Sequence, residues 1–429
     1  MAISTHHSDG IAPTPDHPTD FLELCRHHEA GEVVDSYADA IGETLTQVTD
    51  GPTEVAWIQG QSCTGCTMSM LQTEFPAIEG VLSEFREAAA FHPTLMASAG
   101  DAAMSTLDST PDVLVVEGSI PVEVPRAATL GRDQHGNPKP IVDWVLELGE
   151  AADVVVAVGS CAAYGGLPAA GRHDSGDVGA DPTGARGLQF DGRDPGGVFG
   201  PAFESDRGLP VVNVPGCPSH PEHFLLTLAT LLNGHDPDLD EFNRPLPVFG
   251  PLVHDDCALR EEYENGNFAD NPGEEGCLYE AGCAGVYSYC DDSKRLRNGG
   301  TTICRDVGAP CIGCVEPAFW DRFTPFYEPG EDDGDAGHDD PAVYGVEDGA
   351  DAEAADDADA PRLAATRAVV SDVHAQMRSV GLLTGLLAGL IVFPMLPVAL
   401  PLAVLARRLG VGDRAPDGPV SFTDDRREA

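Results

Sequence analysis

Cys63 and Cys66 form a CxxC pair in QSCTGCTMSM, directly behind the short apolar run VAWI. Cys161, in GSCAAYGG, follows the run DVVVAVG, and Cys217, in VPGCPSHP, follows LPVVNV. Each of the three runs ends in cysteine beside glycine. Thiolates are soft ligands suited to zinc and to iron–sulfur clusters. If the runs are strands of an open parallel sheet, their carboxyl ends share one edge. Four thiolates from three loops then converge on one centre. Four cysteines suit structural zinc or a [4Fe-4S] cluster. Zinc sites usually draw on two neighbouring knuckles, whereas these loops lie far apart in the chain, which favours iron–sulfur.

A second group lies further along. Cys257, Cys277, Cys283, Cys290, Cys304, Cys311 and Cys314 fall within one stretch, and His254 stands three residues before Cys257 in LVHDDCAL. A lone histidine is more often a packing residue than a ligand. The spacing to Cys257 lets both bind one metal centre. Seven thiols and one imidazole make eight ligands, or two sets of four. Cys304 belongs to GGTTICRDVGAPCIGC, ahead of the Cys311–Cys314 pair, and only Cys25 is left over.

The elements that must position these residues read as follows. VAWI (55–58), DVLVVEG (112–118), DVVVAVG (153–159) and LPVVNV (209–214) are rich in β-branched residues and separated by helix-length segments. They predict buried strands in parallel βαβ units of an α/β domain over 51–245. HPEHFLLTLATLLNG predicts a helix that starts after Pro218 and ends at Gly234. Residues 1–50 read as a polar extension with one helix around FLELCRHHEA. Residues 246–328 lose the alternation and are rich in Cys, Gly and Asp, as expected of a small irregular domain stapled by metal. Residues 329–370 are an acidic linker of low complexity. Within 371–410, SVGLLTGLLAGLIVFPMLPVALPLAVLA carries no charge and is long enough for a membrane segment. Pro394, Pro397 and Pro401 predict a kinked helix or a re-entrant hairpin. Residues 411–429 form a polar tail.

Acidic residues outnumber basic ones 71 to 24, the formal net charge is −47, and Lys139 and Lys294 are the only lysines. That balance excludes nucleic acid as a partner. It fits a halophilic protein kept hydrated in high salt, where self-repulsion is screened. The N-terminal stretch shows no apolar h-region and no twin arginine, so no export signal is expected. Arg407 and Arg408 behind the apolar run favour a cytoplasmic C-terminus. The expected location is the cell membrane, with the side open.

The chain resembles the small subunit of nickel–iron hydrogenases. The resemblance is carried in family order by CTGCTMSML (63–71), VEGSIP (116–121), GSCAAYGG (159–166), VPGCPSHP (214–221), RPLPVFGPLVHDDCALR (244–260), CLYEAGCAG (277–285) and PCIGCVEPAFWD (310–321). It implies a flavodoxin-like domain carrying a proximal [4Fe-4S] cluster, then a smaller domain carrying a medial and a distal cluster. Cys63, Cys66, Cys161 and Cys217 would hold the proximal cluster, and His254, Cys257, Cys277 and Cys283 the distal [4Fe-4S] cluster. Cys290, Cys304, Cys311 and Cys314 remain for the medial one. Many family members hold a [3Fe-4S] cluster there, with proline in place of Cys304. The extra thiol predicts [4Fe-4S], with [3Fe-4S] as the alternative. Cys290 follows Cys283 more closely than is usual. Gly65 and Gly166 stand where oxygen-tolerant members carry two further cysteines, so an ordinary proximal cluster is expected.

The implied partners are a nickel–iron large subunit, which would hold the catalytic centre, and a membrane cytochrome or quinone-linked acceptor. No catalytic residue is expected in this chain itself. Two related readings are a hydrogen-sensing small subunit and a complex I-like quinone-reductase subunit. The sensing forms are usually soluble, and the complex I-like forms have adjacent cysteines in place of CTGC.

Overall fold

The computed structural model describes residues 20–27, 44, 53–73, 89–170, 182–323 and 326–327. The expected linker, membrane segment and tail lie outside the described residues. Among the described residues no helix is long and apolar enough to cross a membrane.

The four expected strands form. They are β1 (Val55–Gln59), β3 (Val113–Glu117), β4 (Val154–Val158) and β5 (Val212–Val214). A fifth, β2 (Ala89–Phe91), covers the outer edge of β1. The sheet is wholly parallel, in the order β5-β4-β3-β1-β2. Apolar side chains alternate between two cores because successive residues of a strand point to opposite faces. Trp57, Val115, Val156 and Val214 face one core, while Ile58, Leu114, Val116 and Val155 face the other. Both faces are covered, which is why these strands read as unbroken apolar runs.

Register decides what the sheet edge carries. Gln59 pairs with Glu117, Glu117 with Val158, and Val158 with Val214. The carboxyl ends of four strands are therefore level. The strand order reverses direction between β1 and β3, where the crevice of such sheets opens. From this edge project α2 (Gly65–Met70), after β1, and α4 (Gly159–Tyr164), after β4. On one face lies α5 (Pro221–Leu232), and on the other α3 (Ile141–Gly149). His220 caps α5 by accepting from the Glu222 amide at 3.1 Å, Pro221 fills the first position, and Gly234 beyond its end takes φ 82°. Phe224 of α5 meets Trp57 edge-on at 5.3 Å between ring centroids.

The helix expected within the N-terminal extension forms as α1 (Phe21–His27), and it is part of the core. Phe21 and Leu22 are buried in the cluster that holds α5. The Leu22 amide donates to Thr230 Oγ1 at 3.2 Å. Two adjacent apolar residues in a polar stretch made too weak a pattern to reveal this docking.

Residues 246–323 hold short helices, 3₁₀ turns and isolated bridges such as Leu252–Tyr289 and Phe268–Cys277. Their own apolar core is Ala269, Leu278 and Ala281. Their larger side chains join the first domain instead. Val248, Phe249, Val253 and Val315 enter the core of α5, and Phe319 and Trp320 enter that of α3. The boundary near residue 246 is thus a change of texture without a break in packing.

Phe21→Ala should destabilise the folded chain by about 3–5 kcal/mol, measured by denaturant unfolding, because a fully buried aromatic is lost. A second expectation concerns acid. His92 is buried, its ring lies 5.0 Å from that of Trp57, and its Nδ1 accepts from the Thr94 and Leu95 amides at 3.2 Å. Burial pushes its pKa down to about 4. The unfolded chain takes up this proton first as pH falls, at about 6.5. Stability present above pH ~6.5 is therefore lost down to about 4. His92→Gln should shrink the drop in melting temperature between pH 7 and 4.5.

Candidate metal centres

The first group of thiols stands on the sheet edge. Cys63 lies in the turn after β1 and Cys66 in α2, Cys161 in α4, and Cys217 in the turn after β5. Cys66 feels the charges of Cys161 and Cys217, Cys161 those of Cys217 and Cys63, and Cys217 that of Cys63. The four are brought together as the topology requires. Glycine permits the close approach. A Cβ on Gly159, at φ +84°, would fall 2.5 Å from Cys66 Sγ. One on Gly166, at φ +63°, would fall 2.4 Å from Cys161 Sγ.

Glu117 organises this turn, and sequence reasoning missed that role. It is buried at the end of β3. Its Oε1 accepts from Ser62 Oγ at 2.9 Å and from the Cys66 amide at 3.1 Å. Its Oε2 accepts from Trp57 Nε1, Gln59 Nε2 and Thr67 Oγ1. The available signal was a carboxylate ending an otherwise apolar run.

The second group surrounds a cavity. His254, Cys257, Cys277 and Cys283 line it together with Tyr279 and Arg305. The Cys257 amide donates to the His254 carbonyl at 3.2 Å, so the pair occupies one turn and faces one centre. Burial lowers the His254 pKa, which keeps the imidazole neutral and able to ligate. Its ring stands on Tyr263 at 4.5 Å.

The third group gathers around Cys314, which lies within electrostatic reach of Cys290, Cys304 and Cys311. Cys304 is exposed and opens the 3₁₀ turn Cys304–Val307, while Cys290 is buried. The Cys290 amide donates to the Pro251 carbonyl and that of Asp291 to the Val248 carbonyl, at 2.8 and 3.0 Å. The segment 246–251 thus fixes Cys290 despite its short spacing from Cys283.

Ligand residues of different groups touch. Cys217 and Cys314 pack against the same apolar cluster. Ser160 Oγ donates to the Cys314 carbonyl and accepts from the Gly216 amide. The Cys311 amide donates to Cys283 Sγ at 3.3 Å. The three groups form one continuous series.

His223, Cys290, Asp291 and Asp292 bring ligand-type atoms within 4.8 Å of one another. That cluster is already neutralised. Asp291 accepts from Arg295 and His223 at 2.6 Å each, and Asp292 from Arg297 at 2.8 Å. Cys25 meets Arg295 Nη2 at 3.9 Å.

All twelve cysteines are free thiols. Burial pushes Cys161 and Cys314 up to about 12 and Cys277 to about 11, and it raises Cys66, Cys217, Cys283, Cys290 and Cys311 as well. At neutral pH these sulfurs stay protonated unless a cation displaces the proton. Eleven thiols and one imidazole, most of them shielded from solvent, are donors that suit iron–sulfur clusters in chemistry.

Two family models match the chain. "NADH ubiquinone oxidoreductase, 20 Kd subunit" covers residues 63–231, and the C-terminal model of "NiFe/NiFeSe hydrogenase small subunit" covers 249–327. The periplasmic [NiFeSe] hydrogenase small subunit of Desulfomicrobium baculatum is 35% identical over 72% of this chain and 97% of its own length. The chain belongs to the nickel–iron hydrogenase small subunits. The hydrogenase-2 small chain of Escherichia coli K12 is 34% identical, over 72% of this subunit and 78% of that protein. A solved structure of the H2-activated Dm. baculatum [NiFeSe]-hydrogenase aligns with TM-score 0.56 and 37% identity, covering 65% of this subunit and 99% of that chain. The actinobacterial-type NiFe-hydrogenase of Ralstonia eutropha H16 aligns with TM-score 0.56 and 33% identity, over 65% and 83%. The mixed α/β fold with its parallel sheet is that of hydrogenase small subunits. The match over 249–327 separates this protein from the complex I-like reading, which lacks a cluster-rich second domain.

Glu117→Ala in this small subunit should cost about 3–5 kcal/mol, since it strands buried donors on Trp57 and Cys66. Denaturant unfolding should place Glu117→Gln between that variant and the wild type.

Proposed function

We propose that this small subunit relays electrons between hydrogen-activating chemistry on a nickel–iron large subunit and an acceptor at the membrane. Cys63, Cys66, Cys161 and Cys217 hold a proximal [4Fe-4S] cluster in this reading. Cys290, Cys304, Cys311 and Cys314 hold a medial one, and His254, Cys257, Cys277 and Cys283 a distal one. Clusters bound there supply one-electron carriers. The observation that carries the reading is the series of contacts between the three groups, from Ser160 beside Cys161 to Cys314 and from Cys311 to Cys283.

The chain's own residues set the direction of the series. Cys63 is exposed, and Met68 in α2 and Leu167, shortly after α4, are 54% and 50% exposed. Apolar side chains around the first site favour the large subunit docking on that edge. His254 at the far site is partly buried, and its neutral imidazole leaves the cluster less negative than a fourth thiolate would, which suits an exit. The apolar stretch 379–406 is uncharged and supports attachment to the cell membrane, with a cytochrome or quinone-linked acceptor. The net charge of −47 supports work in high salt.

Cys304 decides the medial cluster. A fourth thiol beside Cys314 supports [4Fe-4S] over [3Fe-4S]. The test is to purify the two-subunit complex, count iron and sulfide, and record EPR of the oxidised protein. About twelve iron atoms and no [3Fe-4S] signal are expected. Cys304→Ala should lose about one iron and gain that signal. Zinc in place of iron, or a strong three-iron signal in the wild type, would contradict the assignment. Hydrogen-dependent dye reduction by the complex checks the relay itself.

A further inference from the structure

Arg305 directly follows Cys304, and it is an anomaly among the buried guanidiniums of this protein. Arg244 and Arg295 are each 3% exposed, and both are neutralised by carboxylates. Arg244 pairs with Asp240 at 2.6 Å and Glu316 at 3.0 Å, and Arg295 with Asp291 at 2.6 Å and Glu222 at 2.8 Å. Arg305 is 6% exposed, and among the described residues no carboxylate lies within ion-pair distance of it. Its Nη2 donates to Ser293 Oγ at 2.6 Å, and that hydroxyl donates onward to the Val253 carbonyl at 2.7 Å. Its Nε is buried with no partner.

A buried cation without an anion is costly, so proteins pair it. The groups around Arg305 that can become anionic are thiols. Its charge lies within electrostatic reach of Cys257, Cys283 and Cys311. Arg305 also lines the cavity of His254, Cys257, Cys277 and Cys283. A guanidinium stays protonated at any pH at which the protein folds, so this positive charge is fixed. Its neighbours are thus two ligands of the distal set and one of the medial set.

A fixed positive charge favours the reduced, more negative state of a cluster and raises its potential. Resting on the three-cluster reading above, we propose that Arg305 is a positioning residue that sets the potential step between the medial and distal sites. It raises the distal site more, because it lines the cavity of that set and has two of its sulfurs within reach. Electrons arriving at the medial site are thereby drawn towards the exit.

The test uses the purified complex with its large subunit and the variants Arg305→Gln and Arg305→Lys. Iron content comes first, then redox titration followed by EPR. A wild-type complex without clusters would sink the three-cluster reading itself, apart from this inference. With clusters present, Arg305→Gln should lower the distal midpoint by about tenfold in the oxidised-to-reduced ratio, ~59 mV for a one-electron couple. The medial midpoint should fall less and the proximal one should stay in place. Arg305→Lys, which keeps the charge and loses the fork, should recover part of the shift. An unchanged distal midpoint in Arg305→Gln, or an equal shift at all three sites, overturns the proposal. If Arg305→Gln sheds the distal iron, retention by Arg305→Lys supports the need for a cation. Loss from both variants alike overturns it.

Discussion

Because the strands run parallel and in level register, Gln59, Glu117, Val158 and Val214 end on one line. Everything that follows them in the chain must start from that line. Three of those exits carry cysteine, and the fourth is Glu117 itself. Antiparallel pairing would have sent alternate exits to opposite edges and scattered the thiols. The sheet's burial on both faces makes the register hard to slip, since a one-residue shift would exchange the two cores. Placement of the first site is therefore enforced by the hydrophobic effect acting at a distance from it. Glu117 completes the placement by gathering five donors from β1, its turn and α2.

The second part of the molecule obeys another logic. Ala269, Leu278 and Ala281 are too small a core to hold a domain of its own. It is held by side chains inserted into the first domain, by buried ion pairs, and by whatever its eight donors bind. Asp291 and Asp292 illustrate the second of these. Both stay ionised although buried, because Arg295, Arg297 and His223 offset the desolvation, and Asp291 is held down at about 2. Buried pairs seldom add much net stability, but losing one partner is severe. Their effect is to leave Cys290 one allowed position. Through Arg295 the same network reaches Cys25 and so the docked helix α1.

What was legible in the sequence followed from strong local signals. The runs VAWI, VLVV and VVVAV are β-branched, short and bounded by glycine, and they became β1, β3 and β4 with ends within a residue or two. The cysteine groups were legible because spacing and count constrain them so tightly. The rest was encoded in contacts between residues distant in the chain. Nothing near Glu117 announces its five donors, which come from residues 57–67. The docking of Phe21 on α5 depends on residues some two hundred positions away. Arg305 looked like a flank of Cys304. Its lack of a carboxylate emerges only when all its neighbours are in place.

Electrostatic magnitudes explain why such single placements matter in so acidic a chain. A net charge of −47 opposes adding electrons anywhere in the molecule. Yet a unit charge about 15 Å away through water contributes only about 0.3 kcal/mol, and salt screening with a length of about 8 Å reduces it several-fold. A dozen such surface carboxylates then amount to roughly half a kcal/mol. A buried cation about 4 Å away, at an effective dielectric near 20, is worth about 4 kcal/mol. The few interior arginines therefore outweigh the acidic exterior at the points that matter. The surface is left free to hold water and ions while the interior sets where negative charge is stable. Arg244, Arg295 and Arg297 direct their charge to carboxylates that shape the scaffold. Arg305, alone among the buried arginines described, leaves its charge to the sulfur ligands.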